Sequence, residues 1–419
     1  MNASFPIPAH LPARLTIAFV MWGLFDTGNG PYRDIDRMVR EHAERGFNCI
    51  RLEDGAGLTH DIDGRRRGPV FFHSPFGKYQ TTRQISFAAG EEGPVDVMER
   101  LIALARACRK YGVFLIFSSW YFLHTYWYLD NDLNRELRDG KPEDMFMKFA
   151  RYHHYILREL EERGLDDRIA AVEIFNEISA IPTYIGEMKE TDVSGIDFTQ
   201  RHAEALAWLR KEHPGLLFAA DNDSVSDEQI ALLPDTLQAF NGHNYYLWDV
   251  YAGTLEAGEP RMTRLFAGKV TPGDVALSRA GLTPLTRTCS PWYNRIARCN
   301  DVIPERIPEL EDWLSRRLAE NRTGYLEKLD AFCLGLRKVS ERFLGIPLQC
   351  GEGVTDCSRQ DVLWEEKSDA FWDMIRITIL KYKETGLWGT LLKTCCGPED
   401  PSWELCKDRI RELNELFLA

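Results

Sequence analysis

The sequence predicts an α/β fold, a (β/α)8 TIM barrel with long loops after its strands, and three observations carry that expectation. Eight short runs rich in β-branched and aromatic residues alternate with longer amphipathic runs. Four amphipathic runs end alike, on a charge and a glycine suited to a left-handed cap: ERGFN (44–48), KYGVF (110–114), ERGLD (162–166) and ETGLW (384–388). Segments after the strands are long (54–93, 121–141, 178–198 and 246–303), while those entering strands are mostly a few residues. In such a barrel the loops after the strand C-termini build the active-site face.

In chain order the expected strands are LTIAFVMW (15–22), FNCIRLE (47–53), VFLIFSSW (113–120), AAVEIFNE (170–177), GLLFAAD (215–221), LQAFNGHNY (237–245), IPLQCGE (346–352) and LWGTLL (387–392). Amphipathic helices are expected over 32–45, 95–111, 143–163, 199–212, 306–343, 361–384 and 403–417, with a weaker one around 226–233. No Ser/Gly/Pro linker or internal repeat divides the chain, so residues 1–419 are read as one domain with a loop insertion at about 246–303. The glycines of GLFDTGNGPY (23–32) lack a P-loop lysine and read as a barrel loop and helix start. RRR (65–67) reads as a solvated turn, and His153 and His154 as outer-surface residues of a helix.

Composition narrows the function. Hydrophobic residues at 44% and charged residues at 27% fit a globular protein with a large core. A formal charge of −13 argues against a nucleic-acid or anionic-membrane partner, which needs a basic footprint, and disfavours polyanionic substrates. No stretch approaches the roughly 20 apolar residues of a membrane helix. The run LTIAFVMWGLF (15–25) has only Arg14 before it and no small-residue cleavage site behind it, so it reads as a core strand and not as a secretion signal. The ten cysteines show no zinc spacing. Cys49, Cys108, Cys333 and Cys350 fall in apolar patterns, Cys395 and Cys396 are adjacent, and Cys357 follows Glu352 by five. A reduced, cytoplasmic protein without metal or cofactor is expected; the oligomeric state is open.

Polar groups gather at the strand ends: Arg51, Glu53 and Asp54; Ser118, Ser119 and Trp120; Asn176 and Glu177; Asp221 and Asn222; His243 and Tyr245; and Glu352. Trp388 stands nearer the start of its strand. A barrel core alone would favour Val, Ile and Leu at these positions, so a convergent site explains the pattern better. Glu177 and Glu352 end strands on opposite sides of the barrel and can face each other across its mouth. Paired carboxylates are what glycosidic-bond cleavage needs, one as proton donor and one as nucleophile or base. Glu173 lies four residues before Glu177, shares its side of the strand, and reads as a buried, paired core carboxylate. The loops are rich in aromatics, namely Phe71, Phe72, Phe76, Tyr79, Tyr121, Tyr126, Trp127, Tyr128, Trp248, Tyr251, Trp292 and Tyr293, and several are expected to face a cleft.

The set GFNCIRL (Arg51), EIFNE (Asn176, Glu177), GHNYY (His243, Tyr245), GEG (Glu352) and GLWG (Trp388) resembles clan A glycoside hydrolases, particularly cellulase-like family-five enzymes. The resemblance spans nearly the whole chain in the right strand order. It implies a retaining enzyme acting on β-glycosidic bonds, with Glu177 as acid/base and Glu352 as nucleophile. By the same resemblance Asn176 would bond the sugar 2-hydroxyl, Tyr245 would bond the nucleophile, and His243 would support the cluster. Arg51 would sit beneath Glu352, Trp388 would floor the glycone subsite, and Trp120 counts with the supporting residues. Two features differ from many cellulases of that family: FSSWYF stands where a histidine near the end of strand three is common, and Ile178 follows the acid/base where proline is common. With no secretion signal or carbohydrate-binding module visible, the expected substrate is a small intracellular oligosaccharide or glycoside. Two other readings compete: a sugar-binding barrel without catalysis, and a metal-dependent barrel hydrolase using His243 and Asp221. The latter lacks the clustered ligands such sites favour.

Overall fold

The computed structural model describes residues 7–28, 30–73, 83, 92–120, 129–247, 264–266, 301–355 and 358–419. Eight strands close into a parallel barrel: β1 (Leu15–Met21), β2 (Cys49–Glu53), β5 (Phe114–Ser118), β6 (Ile169–Glu173), β7 (Phe218–Asn222), β8 (Ala239–Asn244), β9 (Leu348–Gly353) and β10 (Gly389–Leu391). Their order around the barrel is β1-β10-β9-β8-β7-β6-β5-β2. A short antiparallel hairpin, β3 (Val70–Phe72) with β4 (Gly93–Val95), was not expected; its three-residue strands are too brief to show a period.

Helices cover the outside: α1 (Ile35–Glu44), α2 (Val97–Tyr111), α3 (Asn131–Arg138), α4 (Met145–Glu161), α5 (Ile181–Lys189), α6 (Phe198–Glu212), α7 (Asp227–Ala231), α8 (Ile307–Glu320), α9 (Arg322–Arg342), α10 (Trp364–Lys367), α11 (Asp369–Thr385), α12 (Ser402–Leu405) and α13 (Lys407–Leu418). Local chemistry fixes their ends. Asp34, Asp96, Asp197 and Ser368 each accept a backbone N–H in the first turn of α1, α2, α6 and α11. Gly112 and Gly386 close α2 and α11 in the left-handed conformation, at φ 73° and 83°. The single amphipathic run at 306–343 is two helices broken at Asn321, whose side chain turns back to donate to the Arg317 carbonyl (2.8 Å).

Inside, two layers follow from the period of two along each strand. Leu15, Ile17, Cys49, Ile116, Ala171, Ala219, Ala239 and Leu391 form a buried apolar plug at the strand starts. Two residues further along, on the same side, stand Arg51, Glu173, Asp221 and Asn241, all buried. The barrel interior is therefore apolar at the bottom and ionic at the top. The opposite strand faces pack on the helices: Ile50, Leu52, Leu115 and Phe117 share one core with Leu101, Ala105, Ile156 and Leu160.

His153 corrects an expectation. It lies on the buried stripe of α4 with Phe149, Ile156 and Leu160, is fully buried, and pairs with Asp54 (2.7 Å). His154 is half-buried and contacts His213 (2.9 Å). Arg66 and Arg67 of the expected solvated turn reach Glu99 and Glu136, while Arg65 is open to solvent.

Candidate active site

The site is built where the strands stop. β6 ends at Glu173, four residues before the expected end, and the chain bends through Asn176 and Glu177 while still bonded to its neighbours. The Asn176 N–H donates to the Ser119 carbonyl (2.9 Å), and the Ile178 N–H donates to the Asp221 carbonyl (3.0 Å). Glu177 itself takes a left-handed backbone at φ 53°, a conformation that costs a non-glycine residue about 1 kcal/mol or more. That turn aims its carboxyl back over the barrel mouth, where its Oε1 meets His243 Nδ1 (3.1 Å).

Across the mouth, the β8–β9 register shifts between Gly242 and His243, so that Gly242 pairs with Cys350 but His243 pairs with Glu352. Gly351 is the extra residue. A bulge of this kind re-aims the side chain that follows it, and here it brings Glu352 beside His243. Glu352 Oε1 accepts from Arg51 Nη1 (2.8 Å) and lies 3.6 Å from His243 Nε2. Its other oxygen accepts from the Tyr245 hydroxyl. Oxygens of Glu177 and Glu352 and a ring nitrogen of His243 lie within 4.8 Å of one another.

Arg51 is the buried centre. Its guanidinium donates to Glu173 Oε2 (2.8 and 3.0 Å), Asn176 Oδ1 (2.8 Å), Asp221 Oδ2 (2.8 Å) and Glu352 Oε1 (2.8 Å). Its flat face lies over Trp120, 4.6 Å from the ring centroid. Trp120 is itself buried and donates its backbone N–H to Glu53 Oε2 (2.5 Å), which fixes it against Arg51.

Burial and neighbouring charge set the protonation states. Burial pushes the Glu177 carboxyl up to about 7, against the opposing pull of His243 and with help from Glu352 and Asp223. Burial would neutralise His243, but Asp221 and Glu352 outweigh it and hold the imidazole protonated well above its usual range. Burial likewise works against charge on Arg51 and Asp221, and each is overridden by opposite charge: Arg51 by Glu173, Asp221 and Glu352, and Asp221 by His243 and Arg51. Glu173 is pushed upward by burial despite Arg51. Glu177, His243 and Glu352 are spaced as a metal site would be. Both ring nitrogens of His243 already face carboxylates, Nε2 toward Asp221 and Nδ1 toward Glu177.

Six of the sequence-predicted residues thus converge: Arg51, Asn176, Glu177, His243, Tyr245 and Glu352. Trp120 joins them through its contact with Arg51. Trp388 does not join them. It precedes β10, belongs to the apolar plug with Leu11 and Leu15, and donates its indole N–H to the Pro12 carbonyl (3.0 Å), at the opposite end of the barrel. The eighth strand starts after this tryptophan and ends at Leu391, level with Ile17 in the plug. Of the loop aromatics, Phe71 is exposed and Phe72 is buried against Phe25. The others lie outside the described residues, as does nearly all of the 246–303 insertion and Cys357. Asn241 was not singled out, and Asp221 was named only among the strand-end polar groups and with His243 in the metal-dependent reading. Their signal was the inward side they share with Ala219 and Ala239.

Fold and site together define a class, a (β/α)8 barrel with two glutamates facing each other at its mouth. Residues 17–231 match the cellulase-like family described as sugar-binding cellulase-like, and the chain belongs to that family. Among solved structures, a candidate glycoside hydrolase from Parabacteroides distasonis is similar at TM-score 0.65 and 18% identity, over 97% of this chain and 94% of that one. At that identity the likeness is one of fold. A glycoside hydrolase family 5 enzyme from Prevotella bryantii gives TM-score 0.48 at 12% identity, over 97% and 98% of the two chains. A family 5 mannosidase from Rhizomucor miehei gives 0.46 at 11%, over 97% and 94%. No curated protein sequence matches the chain.

Proposed function

We propose that the protein is a retaining glycoside hydrolase cleaving β-glycosidic bonds of a small oligosaccharide or glycoside. The observation that carries the reading is the short gap between Glu177 and Glu352, whose nearest oxygens lie within 4.8 Å. Retaining enzymes hold their carboxyls about 5–5.5 Å apart, whereas inverting enzymes need about 6.5–9.5 Å to admit a water.

In the first step the Glu352 carboxylate attacks the anomeric carbon, while Glu177, neutral up to about pH 7, gives its proton to the departing glycosidic oxygen. A glycosyl ester on Glu352 and a free leaving group result. Esterification removes the negative charge that helps keep Glu177 protonated, so its carboxyl moves down and serves as base. It then takes a proton from water, whose oxygen attacks the anomeric carbon and releases Glu352. Arg51 and the Tyr245 hydroxyl orient the nucleophile's two oxygens. With Asn176 Oδ1 held by Arg51, its amide NH2 is left to donate to the sugar 2-hydroxyl.

The test uses an unactivated β-glycoside for turnover and a 2-deoxy-2-fluoro dinitrophenyl β-glycoside for trapping. Glu352→Gln and Glu177→Gln are each expected to lower kcat/KM by about 10³-fold or more on an unactivated glycoside. The fluoro sugar should add its mass to the peptide carrying Glu352. Full turnover by both variants would falsify the assignment. The family's sugar-binding description supports a second reading, a barrel that binds sugar without cleaving it. Calorimetric binding of a sugar by a wild-type protein that turns over no glycoside would establish that instead.

A further inference from the structure

We infer that Asp221 is a positioning residue that holds the proton donor from both ends, an inference that rests on the assignment of Glu177 as acid/base. Asp221 Oδ1 accepts the backbone N–H of Glu177 at 2.6 Å. Its Oδ2 accepts His243 Nε2 at 2.8 Å, and the other ring nitrogen meets the Glu177 carboxyl at 3.1 Å. One carboxylate therefore fixes the backbone of Glu177 directly and its side chain through an imidazole. The same Oδ2 also accepts from Arg51, which holds Glu352 through its other arm, so donor and nucleophile are referenced to one buried group.

Ile178 completes the clamp. Its N–H donates to the Asp221 backbone carbonyl at 3.0 Å, a bond that proline could not make. Proline would also push the preceding residue toward extended backbone, whereas Glu177 sits left-handed at φ 53°. Ile178 and Asp221 thus belong to one device: the isoleucine permits the turn and the aspartate holds it. A buried aspartate with a merely structural role would not join both ends of the donor.

Among the described residues, the charged groups that face Glu177 are His243 from β8, Glu352 from β9, and Asp221 and Asp223 at the end of β7. Asp221 is the largest support for the charged imidazole. Without it His243 loses its proton at lower pH, and the imidazolium no longer pulls Glu177 down. In Asp221→Asn the Glu177 midpoint therefore moves upward.

The experiment titrates Glu177 by NMR in protein carrying 13C-carboxyl glutamate, the signal being assigned from Glu177→Gln. Kinetics on an unactivated β-glycoside run alongside. Asp221→Asn is expected to raise the midpoint by about one unit and to lower kcat about 100-fold with KM held within about threefold, as a misplaced catalytic group does. Asp221→Glu, which restores the charge but lengthens the arm, should recover the midpoint and not the rate. If Asp221→Asn does not fold, Ile178→Pro carries the test, with kcat reduced and KM held. A midpoint and kcat unchanged in whichever variant folds would overturn the inference. If the wild type cleaves no glycoside yet the midpoint still moves, the hydrolase reading fails, and with it the catalytic part of the inference, while the hold of Asp221 on the Glu177 carboxyl is shown.

Discussion

Glu177 is held in a protonation state that the unfolded chain would not keep at neutral pH. Its carboxyl moves from the ordinary 4.5 to about 7 in the folded protein, chiefly by burial. A raised folded value means the group's contribution to stability is fully present below about pH 4.5 and is lost as pH rises through about 7. Glu177→Gln replaces the neutral acid with a neutral isostere and keeps the strained backbone. It should be nearly neutral for stability at pH 4.5 and stabilising at pH 8.5. The shift converts to about 3 kcal/mol, and with a fifth of the side chain open to solvent about 2 kcal/mol is expected. Urea unfolding at both pH values checks this, and an equal effect at the two would refute it. The sequence exposed this residue because an Asn-Glu pair closing an apolar run is chemically odd. It did not expose Asp221 as the partner of both Glu177 and His243, since one aspartate at a strand end can pair with any neighbour until register is known.

At the scale of elements, placement depends on where strands begin, bulge and stop. A periodic pattern locates a strand to within a few residues, and that error decided two outcomes. It was harmless for β6, because the bend after Glu173 keeps Asn176 and Glu177 hydrogen-bonded at the rim. It misplaced Trp388, because β10 is only three residues long and starts beyond it. The bulge at Gly351 was invisible in sequence, yet it sets Glu352 opposite His243. A Cβ at Gly351 would lie 2.4 Å from Asn241 Nδ2, which donates to Glu173 Oε1 (3.0 Å) and Asp221 Oδ2 (2.6 Å). Gly351→Ala must therefore push the amide off two buried carboxylates. We expect a loss of about 1–3 kcal/mol in chemical denaturation, together with a lower kcat. Because the clash is with one side chain, Gly351→Ala and Asn241→Ala combined should cost less than the sum of the two. Strict additivity would place the damage elsewhere.

Across the whole molecule, the ionic layer at the mouth has a counterpart outside the site. Lys393, just past β10, is fully buried and bonds Glu365, Asp400 (3.1 Å) and the Ser402 hydroxyl (3.2 Å). Arg83 joins the same carboxylates, reaching Glu366 (2.8 Å), Glu365 (3.3 Å) and Asp400 (3.6 Å), and also donates to the Val362 carbonyl (2.7 Å). Two cations among three acids thus tie the ends of β9 and β10 to a residue more than 250 positions earlier in the chain. None of these residues lies in a regular pattern that sequence reasoning can use, so the cluster could be read only from the fold. Buried pairs give little net stability over an apolar replacement of the whole set, but removing one partner strands the others. Lys393→Met should therefore cost about 3–5 kcal/mol, because Glu365 and Asp400 lose the charge that offsets their burial. Adding Glu365→Gln to Lys393→Met should return part of that loss by removing one unpaired carboxylate. Denaturant midpoints for the single and double variants measure both effects. A Lys393→Met protein as stable as wild type would mean that Arg83 alone can hold the three acids.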